Sequence, residues 1–253
     1  MNKVFCRIVF LFCGLVSLIS CGVSEVRDKL NDVESYIMER PDSALAVLDS
    51  MDRAILSTDR LKAHHSLLLA MALDKNYIDV TDDSLAMKAV NYYQKRGSRK
   101  NYARSLYYLA LSYYYDKQYD KSIIELAKAE PVAAVADSLY LGFTKVLQAD
   151  IYSINYNELA KLEALKQALN IYVSLNEDYY VNVAKRRLAV SYINNNMYAE
   201  AQLRLDELLN SHNLNKRIEI KAVGDYAFYG CSGFTGSLTI PQSVTSIASN
   251  TFK

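Results

Sequence analysis

Apolar residues recur at intervals of three and four along residues 26–210, and short polar clusters separate one periodic stretch from the next. This spacing places apolar side chains along one face of an α-helix. Pro41 stands in a first helical turn, ahead of an apolar stripe from Ala44 to Met51. Gly97 stands where a helix C-terminus would be capped. The pattern predicts a body of consecutive amphipathic helices joined by short connections.

Two segments of this body, residues 103–136 and 182–215, repeat one side-chain pattern 79 residues apart. The paired positions are Leu106 with Lys185, Leu109 with Leu188, Ala110 with Ala189, Tyr113 with Tyr192, Tyr119 with Tyr198, Ser122 with Ala201, Leu126 with Leu205, and Ala129 with Leu208. The spacing resembles the 34-residue tetratricopeptide repeat, although both segments lack its Trp. We interpret residues 137–181 as a third repeat lengthened by eleven residues, and 26–100 as earlier, degenerate helix pairs.

The resemblance implies a mainly α fold, a tetratricopeptide-type α-solenoid of antiparallel helix pairs over residues 26–215. Residues 39–45 are similar to tetratricopeptide proteins common among Bacteroides-like bacteria. In tetratricopeptide proteins the first helix of each pair lines a concave groove through positions two, five, nine and twelve of the repeat. The predicted groove residues are Arg104, Tyr107, Leu111, Tyr114, Val183, Arg186, Val190 and Ile193.

The pattern changes after Asn213, where apolar residues alternate with charged ones from Ile218 to Ala222, as in a β-strand. Residues 224–232 and 238–247 closely resemble the leucine-rich repeat of BspA-like surface proteins. Three apolar positions recur after 24 residues, namely Ile220 as Val244, Val223 as Ile247, and Phe228 as Phe252. We therefore expect residues 216–253 to form a short, β-rich, incomplete leucine-rich repeat.

About one and a half such repeats fit before Lys253, whereas a solenoid needs some three to bury a continuous core. Two interpretations stay open. Either the sequence is a truncated piece of a longer surface protein, or the incomplete leucine-rich repeat is stabilised by packing on the last helix pair.

The first twenty residues have the features of an export signal. Lys3 and Arg7 precede an apolar run, residues 8–19, that is short for a membrane span. The run ends in Leu18-Ile19-Ser20-Cys21-Gly22, which resembles the lipobox of bacterial lipoproteins. The resemblance implies that residues 1–20 are removed, that Cys21 is lipidated and that residues 21–25 form a linker. An ordinary signal peptide or a single anchor helix that happens to end at a Cys is the alternative.

Composition and charge narrow the possible functions. The chain has 29 basic and 28 acidic residues, so no net field would gather nucleic acid. His64 and His65 are neighbours, and their side chains diverge on a helix, so we expect no metal site there. Catalytic motifs of hydrolases, metalloproteases and nucleotide-binding enzymes are missing. Cys231, the one thiol left after removal of residues 1–20 and lipidation of Cys21, fits a packing position. We expect neither enzymatic activity nor a cofactor.

Three functions remain, all at the cell envelope. The first is a lipid-anchored scaffold that presents its groove to a protein or peptide partner. The second is a surface adhesin whose leucine-rich repeats contact host matrix or other cells. The third is a glycan-binding outer-membrane lipoprotein. Gly22 after the lipidated Cys favours the outer membrane, with the periplasmic or surface face left open.

Overall fold

The computed structural model describes residues 22–210 and two short strands, β1 (Ala222–Val223) and β2 (Ser246–Ile247). Cys21, residues 1–20 and the rest of the segment 211–253 lie outside the described residues. The chain divides into two compact units, unit 1 (Met1–Ala184) and unit 2 (Lys185–Lys253).

The described body is helical, as the apolar spacing predicts. Helix α1 covers residues 22–36. The others are α2 (Pro41–Asp49), α3 (Asp59–Lys75), α4 (Ser84–Tyr93), α5 (Arg99–Tyr115), α6 (Tyr119–Ala136), α7 (Ser138–Ile154), α8 (Glu158–Ser174), α9 (Asp178–Asn194) and α10 (Tyr198–Asn210), with a 3₁₀ turn at Arg53–Ile55. Within the described part of the chain, no helix is long and apolar enough to cross a membrane.

The odd-numbered helices are the first members of successive pairs, and their starts repeat at nearly constant intervals. Helices α3, α5, α7 and α9 begin at Asp59, Arg99, Ser138 and Asp178, which are 40, 39 and 40 residues apart. Residues 137–181 thus contain one helix pair, α7–α8. The expectation that this pair is lengthened relative to its neighbour is wrong. Helices α5 and α6 have 17 and 18 residues, and α7 and α8 have 17 each, so the two pairs are nearly the same length. The 79-residue interval is therefore two nearly equal units of 39 and 40 residues.

The turn inside each pair uses a left-handed residue that is not glycine. Tyr77, Lys117, Tyr156 and Asn196 have φ between 54° and 59°, and they recur at the same 40-, 39- and 40-residue intervals. The amide after each one donates to the carbonyl five residues earlier, as in Gln118 N to Tyr113 O at 2.8 Å. This Schellman bond satisfies carbonyls that the helix end leaves free. The same bond therefore ends the first helix of each of these four pairs.

The core of unit 1 forms where α5 packs on α3, α4, α6 and α7. Leu106, Leu109 and Ala110 on α5 are at most 2% exposed. Because Ala110 is small, α6 approaches closely, and the Ser122 hydroxyl donates to the Ala110 carbonyl at 2.7 Å. The positions common to the two repeated segments therefore lie at helix contacts within the pair α5–α6.

In unit 2 the two short strands pair in parallel. Ala222 lies opposite Ser246, and Val223 lies opposite Ile247. The strands are 24 residues apart, which is the interval at which the apolar pattern repeats in the sequence.

Candidate functional site

An open cleft of about 400 Å³ lies on unit 1, between the end of α1, the middle of α3 and the starts of α5 and α7. We call it the inner cleft, because its walls come from the first helices of successive pairs. Its lining residues are Asn31, Glu34, Ser35, Ile37, Met38, Met71, Lys100, Arg104, Leu139 and Tyr140. The lining combines charged side chains with exposed apolar ones, since Met38 is 38% exposed.

A network of ion pairs ties three helices together beside this cleft. Arg104 on α5 donates from Nη1 to Glu34 Oε1 at 2.9 Å and from Nε to Asp137 Oδ2 at 2.7 Å. His64 on α3 donates from Nε2 to Glu34 Oε2 at 3.0 Å. Asp137 also caps α7, where it accepts from the Tyr140 amide. Each charge thus has a partner on another element, which fixes the positions of α1, α3, α5 and the start of α7 around the cleft.

The electrostatics of the network favour ionised Glu34. The hydrogen bond from His64 is the largest cause that lowers the pKa of Glu34, and the charges of Arg104 and Lys100 lower it further, against the opposite effect of burial. Lys100 is exposed at the rim.

The neighbouring His65 is not part of this network and contacts a backbone carbonyl instead. Its Nε2 lies 2.9 Å from the Leu48 carbonyl, and burial lowers its pKa, so the neutral ring donates to that carbonyl. His64 and His65 therefore have separate hydrogen-bonding roles, as expected for neighbours on a helix. Among the described residues, no group of three or more His, Cys, Asp or Glu side chains could hold a metal ion.

A buried aromatic cluster lies behind the cleft. The Tyr107 ring meets Tyr108, Tyr140 and Phe143 at centroid distances of 5.1 to 5.9 Å. The hydroxyls of Tyr108 and Tyr140 are 3.0 Å apart, and the Arg104 guanidinium lies 5.0 Å from the Tyr140 ring centre. Burial raises the pKa of Tyr107, Tyr108 and Tyr140, so these phenols stay neutral. The cluster supports the cleft as packing.

The structure places the predicted groove residues of α5 in different environments. Arg104 lines the inner cleft. Tyr107 and Leu111 are only 9% and 7% exposed, and they are core residues rather than open groove positions. Tyr114 is half-buried and packs against Tyr115 and Tyr119. The reason is that α5 has first helices on both sides, α3 and α7, and bulky side chains fill the space between them.

The predicted groove residues of α9 are more accessible. Val183, in unit 1, is half-buried. In unit 2, Arg186 is exposed, and Val190 and Ile193 are 51% and 45% exposed. A ligand role for these residues stays a prediction.

Sequence reasoning missed Glu34, Lys100, Met38 and Leu139 as members of the inner cleft. Glu34 and Arg104 are separated by 70 residues in the chain, and their pairing depends on how α1 and α5 are placed. A charged residue on an amphipathic helix has no periodic signature that distinguishes a cleft from a solvated face. No signal in this single sequence would have identified them.

No family model matches this chain, and no curated protein is significantly similar to it. Among the solved structures that are similar to this chain, two are described as a Podosopora anserina putative kinesin light chain with nearly identical TPR-like repeats. One has 18% identity and a TM-score of 0.48, and a single-residue variant of it has 18% identity and a TM-score of 0.50. Each similarity covers 80% of this chain and 98% of the other. The fold of this chain is TPR-like, which confirms the predicted fold class for the helical part.

Proposed function

We propose that this protein is a non-enzymatic scaffold whose inner cleft binds an extended segment of a protein partner. The observation that carries the proposal is the convergence of α1, α3, α5 and α7 on one open cleft. A cleft built by successive first helices follows the direction in which the pairs stack. Such a surface offers an extended chain a series of contacts, one from each pair.

The chemistry of the cleft suits a peptide better than a small substrate. Met38 and Leu139 supply apolar contact, and Lys100 supplies a positive charge at the rim. The charged groups deeper in the cleft, Glu34 and Arg104, already neutralise each other. A peptide side chain therefore meets mixed, shallow contacts, whereas small-molecule sites enclose most of their ligand.

Charge reversal at the rim tests this role. We expect Lys100→Glu to reduce recovery of the partner from detergent-solubilised membranes about fivefold, because an exposed ion pair contributes up to about 1 kcal/mol and the reversal turns attraction into repulsion. The matched control is Lys88→Glu, an equally exposed Lys on α4 that lies outside the cleft lining. Lys88→Glu should unfold at the wild-type temperature, whereas Lys100→Glu should unfold at a slightly lower temperature, because the charge of Lys100 lowers the pKa of Glu34. If wild type and both variants recover equal amounts of the partner, the inner cleft is not the binding surface.

Tyr107→Ala is a poor probe of the same surface. The ring is buried among Tyr108, Tyr140 and Phe143, so truncation leaves a cavity in the core. Loss of the partner in that variant would report damage to the fold.

We also propose that lipid on Cys21 holds the scaffold at the cell envelope, with the outer membrane favoured by Gly22. The support is the lipobox-like Leu18–Gly22 motif together with the position of α1, which is helical from residue 22. Fifteen helical residues span about 22 Å, so the inner cleft at the end of α1 would lie close to the membrane.

Replacement of the lipidated thiol tests this anchor. We expect Cys21→Ser to be synthesised but to incorporate no palmitate analogue, and either to stay uncleaved or to become soluble, because each buried CH₂ of a lipid contributes about 0.8 kcal/mol to anchoring. Cys13→Ser is the matched control, since it changes a thiol within the apolar run and should keep the label. Continued labelling of Cys21→Ser would show that the lipoprotein assignment is wrong.

A second candidate function is adhesion through the C-terminal segment. The parallel pairing of β1 with β2 at a 24-residue interval supports a leucine-rich interpretation, in which every repeat adds one strand to a parallel sheet. The same variants separate the two functions. Binding to immobilised host matrix that survives Lys100→Glu would point to the C-terminal segment.

A further inference from the structure

Helix α10 carries an apolar face that its counterpart α6 buries. Leu126 and Ala129 of α6 are 0% exposed. Their equivalents 79 residues later are Leu205, which is 37% exposed, and Leu208, which is half-buried. The sequence thus keeps large apolar residues at positions where the described part of unit 2 leaves them partly uncovered.

One position of α6, Glu130, faces the next helix of the stack. Helix α7 starts at Ser138, two residues after α6 ends, and packs along it. Glu130 of α6 shows the direction of this contact, because it accepts from Lys145 of α7 at 2.6 Å. The equivalent of Glu130 is Leu209, which is 78% exposed. Leu209 therefore occupies a position that faces the following element in the repeat.

These residues form one continuous surface. Seven- and four-residue intervals place Tyr198, Leu205 and Leu209 within about 60° of one another around α10. Tyr198 is 63% exposed. We call Tyr198, Leu205, Leu208 and Leu209 the stacking face. Apolar side chains exposed side by side at the end of a helical stack need a cover, because repeat proteins require polar caps to stay soluble.

We infer that the chain's own segment 211–253 covers the stacking face and so terminates the helical stack. The segment begins two residues after Leu209, and this short tether gives it a millimolar effective concentration at that surface. Residues 185–253 belong to one compact unit. About one and a half leucine-rich repeats are also too few to bury a core alone, so both surfaces gain from the contact.

Charge supports the same occupant. Asp206 is exposed on α10, about 60° around the helix from Leu209, and the segment carries Lys216, Arg217 and Lys221 near its start. The segment also supplies the apolar partners, because Ile218, Ile220, Val244 and Ile247 recur in it at regular spacing. This inference does not depend on the proposed function of the inner cleft.

Photo-crosslinking in the full chain tests the contact. We place p-benzoylphenylalanine at position 209, where the exposed side chain tolerates replacement, and at position 203 as the control. Leu203 is 51% exposed but lies about 160° around α10 from Leu205. We expect position 209 to cross-link within the same molecule to a peptide from 211–253, and position 203 not to do so. Cross-linked dimers, or links only to another protein, would overturn the inference in favour of a second copy or a separate partner.

Limited trypsin digestion gives a second measurement. Cleavage after Lys216, Arg217 and Lys221 should be at least about tenfold faster in the double variant Leu205→Glu/Leu209→Glu than in wild type, and unchanged in Leu203→Glu. Equal cleavage rates in wild type and the double variant would show that the segment does not rest on the stacking face.

Discussion

Replacement of Arg104 by Met should lower the free energy of unfolding by about 3 kcal/mol at pH 7, because it removes one partner from a buried ion-pair network. The Arg104 side chain is 12% exposed, and it separates the carboxylates of Glu34 and Asp137. Without it, the carboxylates of Asp137, 7% exposed, and Glu34 each have one hydrogen-bonding partner fewer. Urea denaturation followed by circular dichroism measures the loss.

The effect should depend on pH with a defined sign. The pKa of Glu34 is lowered in the fold, mainly by the hydrogen bond from His64, with Arg104 and Lys100 adding to it. A lowered pKa contributes stability above the unfolded value of 4.5, and this contribution is lost as the pH falls through the folded value. Loss of Arg104 raises the pKa of Glu34, so the difference in stability between wild type and variant should narrow as the pH falls below 4.5 through the folded pKa of Glu34.

The control for this variant is Arg27→Met. Arg27 pairs with Asp28 at 3.0 Å, but the two side chains are 45% and 61% exposed. Exposed pairs contribute about 0 to 1 kcal/mol, so the control should change stability by less than about 0.5 kcal/mol. A cost for Arg104→Met no larger than the control, or one independent of pH, would contradict the role of the network.

Gly142→Ala should destabilise unit 1 by about 2 kcal/mol, although alanine is the better helix former. Gly142 lies inside α7, where alanine is normally favoured by roughly 1 kcal/mol. A Cβ atom at this position would lie within 3.0 Å of three ring carbons of Tyr172 on α8. The ring cannot move aside easily, because Tyr172 is 2% exposed and packs against Phe143 and Tyr180. Overpacking of this kind costs about 1 to 3 kcal/mol.

A double-mutant cycle with Tyr172→Leu isolates the clash. Once the ring is gone, Gly142→Ala should become neutral or stabilising by up to about 1 kcal/mol, as helix propensity alone predicts. Thermal and urea unfolding of the four proteins give the coupling energy. An unchanged cost in the Tyr172→Leu background would show that the close approach of α7 and α8 is not its cause.

Periodicity made much of the helical body predictable. The spacing of Leu106, Leu109 and Ala110 correctly predicted buried helix contacts, and Leu188 and Ala189 are likewise at most 1% exposed. This success has a local cause, since the 3.6-residue turn decides which side chains share a face. The positions of the turns were harder to predict from the sequence. The left-handed residue of a helix end is usually glycine, but here it is Tyr77, Lys117, Tyr156 or Asn196.

The sequence by itself determined the helical class, the side chains that pack within the pair α5–α6, and the 24-residue interval of the strand pair. Only the tertiary structure decided the 39- and 40-residue repeat length, the burial of Tyr107 and the membership of the inner cleft. The physical reason lies in distance along the chain. A helical face depends on residues three and four apart, whereas Glu34 reaches Arg104 across 70 residues, and Tyr107 is buried by Tyr140 and Phe143 on another helix. Such contacts depend on how helices stack, which no local spacing encodes.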